Sequence, residues 1–85
     1  MTFYVYMILA IDKSVSYVGY TNNLKKRISL HNHGKGAKFT RGRKWKLIYK
    51  RMFTSKSDAM KNEISLKKNS LLRKKIKLKY LITKL

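Results

Sequence analysis

Cysteine does not occur in this chain, and acidic residues number only three. The first absence removes disulfides and thiolate zinc sites as sources of stability. The second leaves Asp12, Asp58 and Glu63 as the only side-chain carboxylates, which excludes any metal centre built from four or five of them. Long apolar runs are missing as well. The longest, from Phe3 to Ile11, is nine residues, against the roughly 20 that a spanning helix needs. No basic stretch of the kind that opens a signal peptide precedes it. These absences describe a soluble, intracellular protein, cytoplasmic or DNA-associated. Proline is also absent, and there is no internal repeat and no second domain. Residues 1–85 read as a single domain with a small core.

What is abundant is positive charge. Lysine and arginine total 22 against 3 acids, a net charge of +19. Self-repulsion of that size works against a compact state, so a function must require it. A polyphosphate partner is the simplest requirement, because neutralising phosphates releases counterions and gives tight, salt-sensitive binding. An anionic membrane surface is the weaker candidate for the same charge. The composition points to nucleic acid.

Aromatic and branched residues from Phe3 to Ile11 predict a first strand, Asp12-Lys13-Ser14 a turn, and Val15 to Tyr20 a second strand. Tyr4, Tyr6 and Ile8 share one face by the two-residue period, as do Tyr17 and Gly19. An even loop, for instance two residues at Asp12-Lys13, sets Tyr6 opposite Gly19 and Tyr17 opposite Ile8, so all four lie on one face. Thr21-Asn22-Asn23 is capping chemistry for a helix that continues through Leu24, Ile28 and Leu30 to about Asn32. Arg27 and His31, four apart, project from one side of it. A glycine-rich basic loop fills residues 34–44, and Trp45 to Phe53 predicts a third strand, with Trp45, Leu47 and Tyr49 on one face. From about Ser57 the period turns helical, with Ala59, Met60, Glu63 and Ile64 on the core-facing stripe. Asn69-Ser70 is a break and re-cap. Leu71 to Leu85 is a basic amphipathic helix whose stripe of Leu71, Leu78, Ile82 and Leu85 is expected to close the core. The sum is an α+β fold, a small three-stranded antiparallel sheet flanked by helices.

Six features stand in order along the chain. They are Tyr4-Val5-Tyr6, Tyr17-Val18-Gly19, Arg27 within a Thr21-to-Arg27 run, His31-Asn32, a Gly-Lys-Gly-Ala loop leading to Thr40-Arg41, and Glu63 on a late helix. Over about residues 3–68 this series resembles the GIY-YIG nuclease domain. It is most similar to small stand-alone members and to the nuclease domain of structure-specific resolvases. The departures are Tyr4 where the motif has glycine, and Val5 and Val18 where it has isoleucine; none alters a group that moves a proton or holds a metal.

The resemblance implies a Mg²⁺- or Mn²⁺-dependent DNA endonuclease, acting on branched or otherwise structured DNA in repair, recombination or a mobile or viral context. By the same resemblance Tyr6 is the general base or its hydrogen-bonding relay, with Tyr17 beside it. Arg27 holds the scissile phosphate, Glu63 is the sole carboxylate on the metal, His31 contacts a phosphate or assists proton transfer, and Gly19 leaves room for the ligand. A phenol with a pKa near 10 is a poor base at neutral pH, and surrounding cations are expected to favour its phenolate. Lys35, Lys38, Arg41 and Arg43 are expected to contact the nucleic-acid backbone from a mobile loop. No small-molecule cofactor or membrane is implied. A homodimer or partner protein would serve substrate recognition, since a chain without cysteine cannot carry the zinc module that such resolvases use.

Plainer readings compete at several positions. Strands favour tyrosine without any catalytic purpose, and Glu63 could pair with a neighbouring lysine. His31 and His33 are two apart on a helix and do not face each other, so they are not a metal pair. The loop glycines lack the spacing of a phosphate-binding P-loop. The rival to the enzyme is an inactive, basic nucleic-acid-binding module of the same fold.

Overall fold

Branched and aromatic side chains over residues 3–10 make the strand on which the other elements are laid. The computed structural model describes residues 1–83. In chain order the elements are β1 (Phe3–Ala10), β2 (Ser16–Thr21), α1 (Leu24–Asn32), β3 (Trp45–Phe53), α2 (Lys56–Lys68) and α3 (Ser70–Thr83). The strands form one antiparallel sheet in the order β2-β1-β3. This is the α+β arrangement expected from the sequence.

The central strand β1 is buried on both faces from Val5 to Ala10. Val5 and Met7 point into a cluster with Val18, Ala59 and Leu66, covered by α2 and by Ile76 of α3. Tyr6, Ile8 and Ala10 point the other way, against Trp45, Leu24 and Ile28. A sheet with helices on both sides needs apolar residues at consecutive positions of its middle strand.

The hairpin has the expected even loop. Ala10 N–H donates to Val15 C=O at 3.0 Å, so the loop is residues 11–14, longer than the two-residue turn suggested by Asp12-Lys13. Asp12 accepts from the Ser14 amide and hydroxyl, and Lys13 takes φ 66°. Tyr6 stands opposite Gly19 and Ile8 opposite Tyr17.

Three expectations about packing fail for identifiable reasons. Tyr49 does not share a face with Trp45 and Leu47, because the β1–β3 register slips between Met7 and Ile8. The slip leaves one extra residue on β3, which reverses alternation beyond it, and Tyr49 packs in the Val5 cluster instead. The leucine stripe of α3 does not close the core either. Leu71, Leu78 and Ile82 are 64%, 57% and 64% exposed, and Ile76 makes the packing contact instead; Leu85 lies outside the described residues. Similarly, on α2 the buried residues are Ala59 and Leu66, while Met60 and Ile64 face outward. Asn69 does re-cap the chain between the two helices, accepting from Leu72 N–H at 3.0 Å. Among the described residues, no helix is long and apolar enough to cross a membrane.

Candidate active site

The phenol of Tyr6 crosses the sheet directly over Gly19. A β-carbon on Gly19 would lie 2.5 Å from the Tyr6 hydroxyl oxygen, so no other residue fits there without displacing the ring. Past Gly19, the Tyr6 hydroxyl meets His31 Nε2 at 2.7 Å. The helix that carries His31 is set by short polar side chains. Thr21 accepts from Asn23 N–H, and Asn23 caps α1 by accepting from Lys26 N–H at 3.1 Å. At the far end, Asn32 binds both backbone polar groups of Trp45, tying α1 to the start of β3.

His31 is fully buried and both ring nitrogens are engaged. Its Nδ1 lies 2.9 Å from Thr40 Oγ1, and the Thr40 hydroxyl donates its one proton to Ala37 C=O at 2.9 Å. Thr40 therefore accepts from His31, and Nδ1 carries the proton. That leaves the Nε2 lone pair to accept from Tyr6 O–H. The result is a directed chain from Tyr6 through His31 and Thr40 to a backbone carbonyl. Trp45 Nε1–H donates to Thr40 C=O at 3.0 Å and fixes the chain's far end.

This corrects three expectations. Of the two parts expected for His31, its full burial argues against the phosphate contact, while its Nε2 lies within hydrogen-bond reach of the Tyr6 hydroxyl. The basic loop is not free along its length: Thr40 is buried and bonded, and a β-carbon on Gly36 would run into the His31 ring. Tyr6 is no phenolate. Burial, the neighbouring Tyr17 phenol and the Glu63 carboxylate push its pKa well above the ordinary tyrosine value, and Arg27 offsets only part of this. His31 shifts the other way, its pKa lowered by burial and by the Arg27 cation, so the neutral ring is favoured.

Tyr6, Tyr17, Gly19, Arg27 and Glu63 line one cavity of about 490 Å³ at the β2 edge of the sheet, with Lys56 and Asn22 at its margin. The phenols of Tyr6 and Tyr17, a guanidinium and a carboxylate, from four different elements, thus meet at one concavity, with Tyr20 also in its lining. The Tyr17 ring also lies against His31, with centroids 5.1 Å apart. Tyr4 is not among them and lines a groove beside α1 instead. Glu63 keeps 16% of its side chain exposed and pairs with Lys67 at 3.7 Å, the neighbouring-lysine contact that competes with metal binding in the sequence reading. Glu63 is the one acid lining the cavity, and among the described residues no group of three or more histidines and acids could hold an ion. A lone carboxylate fits Mg²⁺ or Mn²⁺, ions whose other ligands are waters and phosphate oxygens.

Lys35, Lys38, Arg41 and Arg43 are exposed along the loop and outside the cavity. Arg43 bends to the hairpin tip, 3.6 Å from Asp12. His33 accepts no role here; it is exposed and bonded to Ser29. Thr40 and Gly36 stand among the features that carry the family resemblance, but sequence reading assigned neither a role in the site. The signal available was indirect, namely that a histidine packed against a tyrosine needs a partner for its second nitrogen, and the nearby loop offers a threonine.

An α+β sheet that places two phenols, a guanidinium and a carboxylate around one concavity defines a class of nucleases. The chain belongs to the GIY-YIG catalytic domain family, whose model matches residues 2–77. It is similar to a UPF0213 protein of Staphylococcus haemolyticus, 49% identical over 65 residues, 75% of this chain and 78% of that one. A UPF0213 protein of Lactiplantibacillus plantarum is 45% identical over 82 residues, 93% and 77% of the two chains. The solution NMR structure of a UPF0213 protein from Bacillus halodurans superposes with a TM-score of 0.53 at 44% identity, covering 95% of this chain and 85% of that one.

Proposed function

We propose that this protein is a metal-dependent DNA endonuclease that hydrolyses phosphodiester bonds by a tyrosine–histidine relay. The observation that carries this reading is the 2.7 Å contact from the Tyr6 hydroxyl to the Nε2 of a neutral, buried His31, at the wall of a cavity shared with Arg27 and Glu63. Attack on phosphorus needs a deprotonated water, and a phenol of raised pKa cannot take that proton by itself. It can pass one on. As the water proton moves to the Tyr6 oxygen, the Tyr6 proton moves to His31 Nε2, and the imidazolium formed keeps its Nδ1–H bonded to Thr40. Arg27 supplies forked donors to the phosphoryl oxygens as the new P–O bond forms and the bond to the leaving sugar oxygen breaks, that oxygen taking its proton from solvent water. Tyr17 orients the water or the phosphate beside Tyr6. A divalent ion on Glu63, Mg²⁺ or Mn²⁺, would supply Lewis acidity to the phosphoryl group. The exposed cations Lys35, Lys38 and Arg41 hold the DNA backbone without reading its sequence.

The test is cleavage of flap, junction, single-stranded and duplex DNA with Mg²⁺, Mn²⁺ or EDTA. Scission that requires metal, and that disappears in Tyr6→Phe and Glu63→Ala while binding persists, supports the enzyme. Binding without scission of any substrate by the wild type, at several pH values, identifies the protein as a basic binding module.

A further inference from the structure

The loop between α1 and β3 carries one large apolar side chain that the relay does not use. Phe39 is 56% exposed, next to the fully buried Thr40. A single exposed apolar side chain is ordinary and needs no function. Its surroundings set this one apart. The Phe39 ring stacks on Tyr17, a residue of the catalytic cavity, with centroids 6.1 Å apart and planes inclined by 21°. Trp45 supports it at 6.4 Å, and Thr40 is bonded to His31 and to Ala37 and held through its carbonyl by the Trp45 indole, so the ring stands on a fixed base. Phe39 also walls a second cleft of about 300 Å³, together with Tyr17, Val18, Lys67 and Arg73. Arg73 is committed to the carbonyls of Leu66 and Lys67 at the end of α2. Lys67, 5.9 Å from the Tyr17 ring centre and 3.7 Å from Glu63, is the other cation lining the cleft.

A flat aromatic wall, an aliphatic floor and a nearby ammonium suit a nucleobase, which offers a π-face and acceptor-bearing edges close to its own phosphate. We propose that Phe39 is the stacking platform of a nucleobase subsite, occupied by an unpaired base next to the cleaved phosphodiester. The inference rests on the nuclease reading for its substrate and deepens it. A base inside a continuous duplex is already stacked and must be extruded to reach the cleft, so the subsite favours DNA with an unpaired nucleotide.

The test uses the full chain in EDTA with DNA carrying 2-aminopurine at successive unpaired positions of a flap, and with the same probe inside a continuous duplex. Stacking on Phe39 quenches the flap probe at one position and leaves the duplex probe unchanged. Phe39→Ala removes that quenching and weakens flap binding roughly 5- to 150-fold more than duplex binding. Phe39→Trp restores both, and Phe39→Leu, which keeps the bulk but not the ring, behaves like the alanine variant. Equal losses on the two DNAs, quenching that survives in Phe39→Ala, or wild-type behaviour of Phe39→Leu overturns the subsite. Because cleavage is not read, the two proposals fail separately. A wild type that quenches but cuts nothing in metal loses the nuclease reading alone, and one that cuts without quenching loses the platform alone.

Discussion

A β-carbon at Gly19 would stand 2.5 Å from the Tyr6 hydroxyl oxygen. The two residues face each other across β1 and β2, and the phenol reaches His31 only because nothing projects from position 19. Gly19→Ala is therefore expected to push the Tyr6 ring off Nε2. The cost in stability is about 1–3 kcal/mol, as for other overpacked interiors, and cleavage falls by about 100-fold or more, the scale of losing acid–base assistance. Thermal unfolding and single-turnover cleavage measure the two effects.

Tyr6→Phe keeps the ring over Gly19 and deletes only the hydroxyl. His31 Nε2 is then buried without a donor, an arrangement that costs about 1–3 kcal/mol. Cleavage is expected to disappear while affinity for DNA in EDTA stays within a factor of about three of wild type. Loss of binding in step with cleavage would show that the phenol serves the fold rather than the reaction.

Thr40→Val preserves shape and removes the acceptor for His31 Nδ1–H. The ring loses the bond that fixes its tautomer, and kcat is expected to fall about 10- to 100-fold, the range typical of an outer partner of a working histidine. Thr40→Ser should recover most of the rate. A pH–rate profile separates this from simple loosening, since a changed tautomer moves the acid limb and a loosened loop does not.

The relay sets a pH dependence whose sign follows from His31. Its pKa is lowered by burial and by Arg27, so the acid limb of kcat/KM should fall below the ordinary histidine value of about 6.5. Activity rises with pH through that limb as His31 becomes neutral. Stability moves with it: between the folded and unfolded pKa values the unfolded chain binds more protons, so the fold weakens as pH drops through that window. Tyr6 acts at the other end. Its raised pKa adds stability that is complete below about pH 10, the unfolded tyrosine value, and is lost as pH climbs above it. Urea unfolding across pH 5 to 11 should show a decline on both sides.

On α3, Leu78→Lys is expected to change stability by no more than about 0.5 kcal/mol, because the side chain is 57% exposed. Ile76→Ala, which empties a contact with the Val5 cluster, should cost about 1–3 kcal/mol. Reversal of that order would place the leucine stripe in the core after all. Denaturant midpoints of the two variants decide it.

Most of the fold was legible because it rests on local chemistry. The strand at residues 3–10, the Asn23 cap, the break at Asn69 and the even hairpin all follow from side-chain type and period over a few residues. The stripes of α2 and α3 were misread for a common reason. Helical period identifies an apolar line, but which of two lines meets the sheet depends on the crossing of α2 and α3, and Ile76 rather than Leu78 falls on the contact. Likewise, alternation predicted Tyr49 beside Leu47, and a single bulged residue was enough to turn it over.

Amino-acid order alone decided the identity of the chemical groups and, through the two-residue period, which of them share a face of each strand. The even loop that brings Tyr6 over Gly19 was an expectation the hairpin bore out. Tertiary structure decided how those groups behave. It buried Tyr6 and His31 together, which raised one pKa and lowered the other, and it folded the loop after α1 back so that Thr40 orients the imidazole. Desolvation and hydrogen-bond direction arise from neighbours far away in the chain, and so no local pattern encodes them.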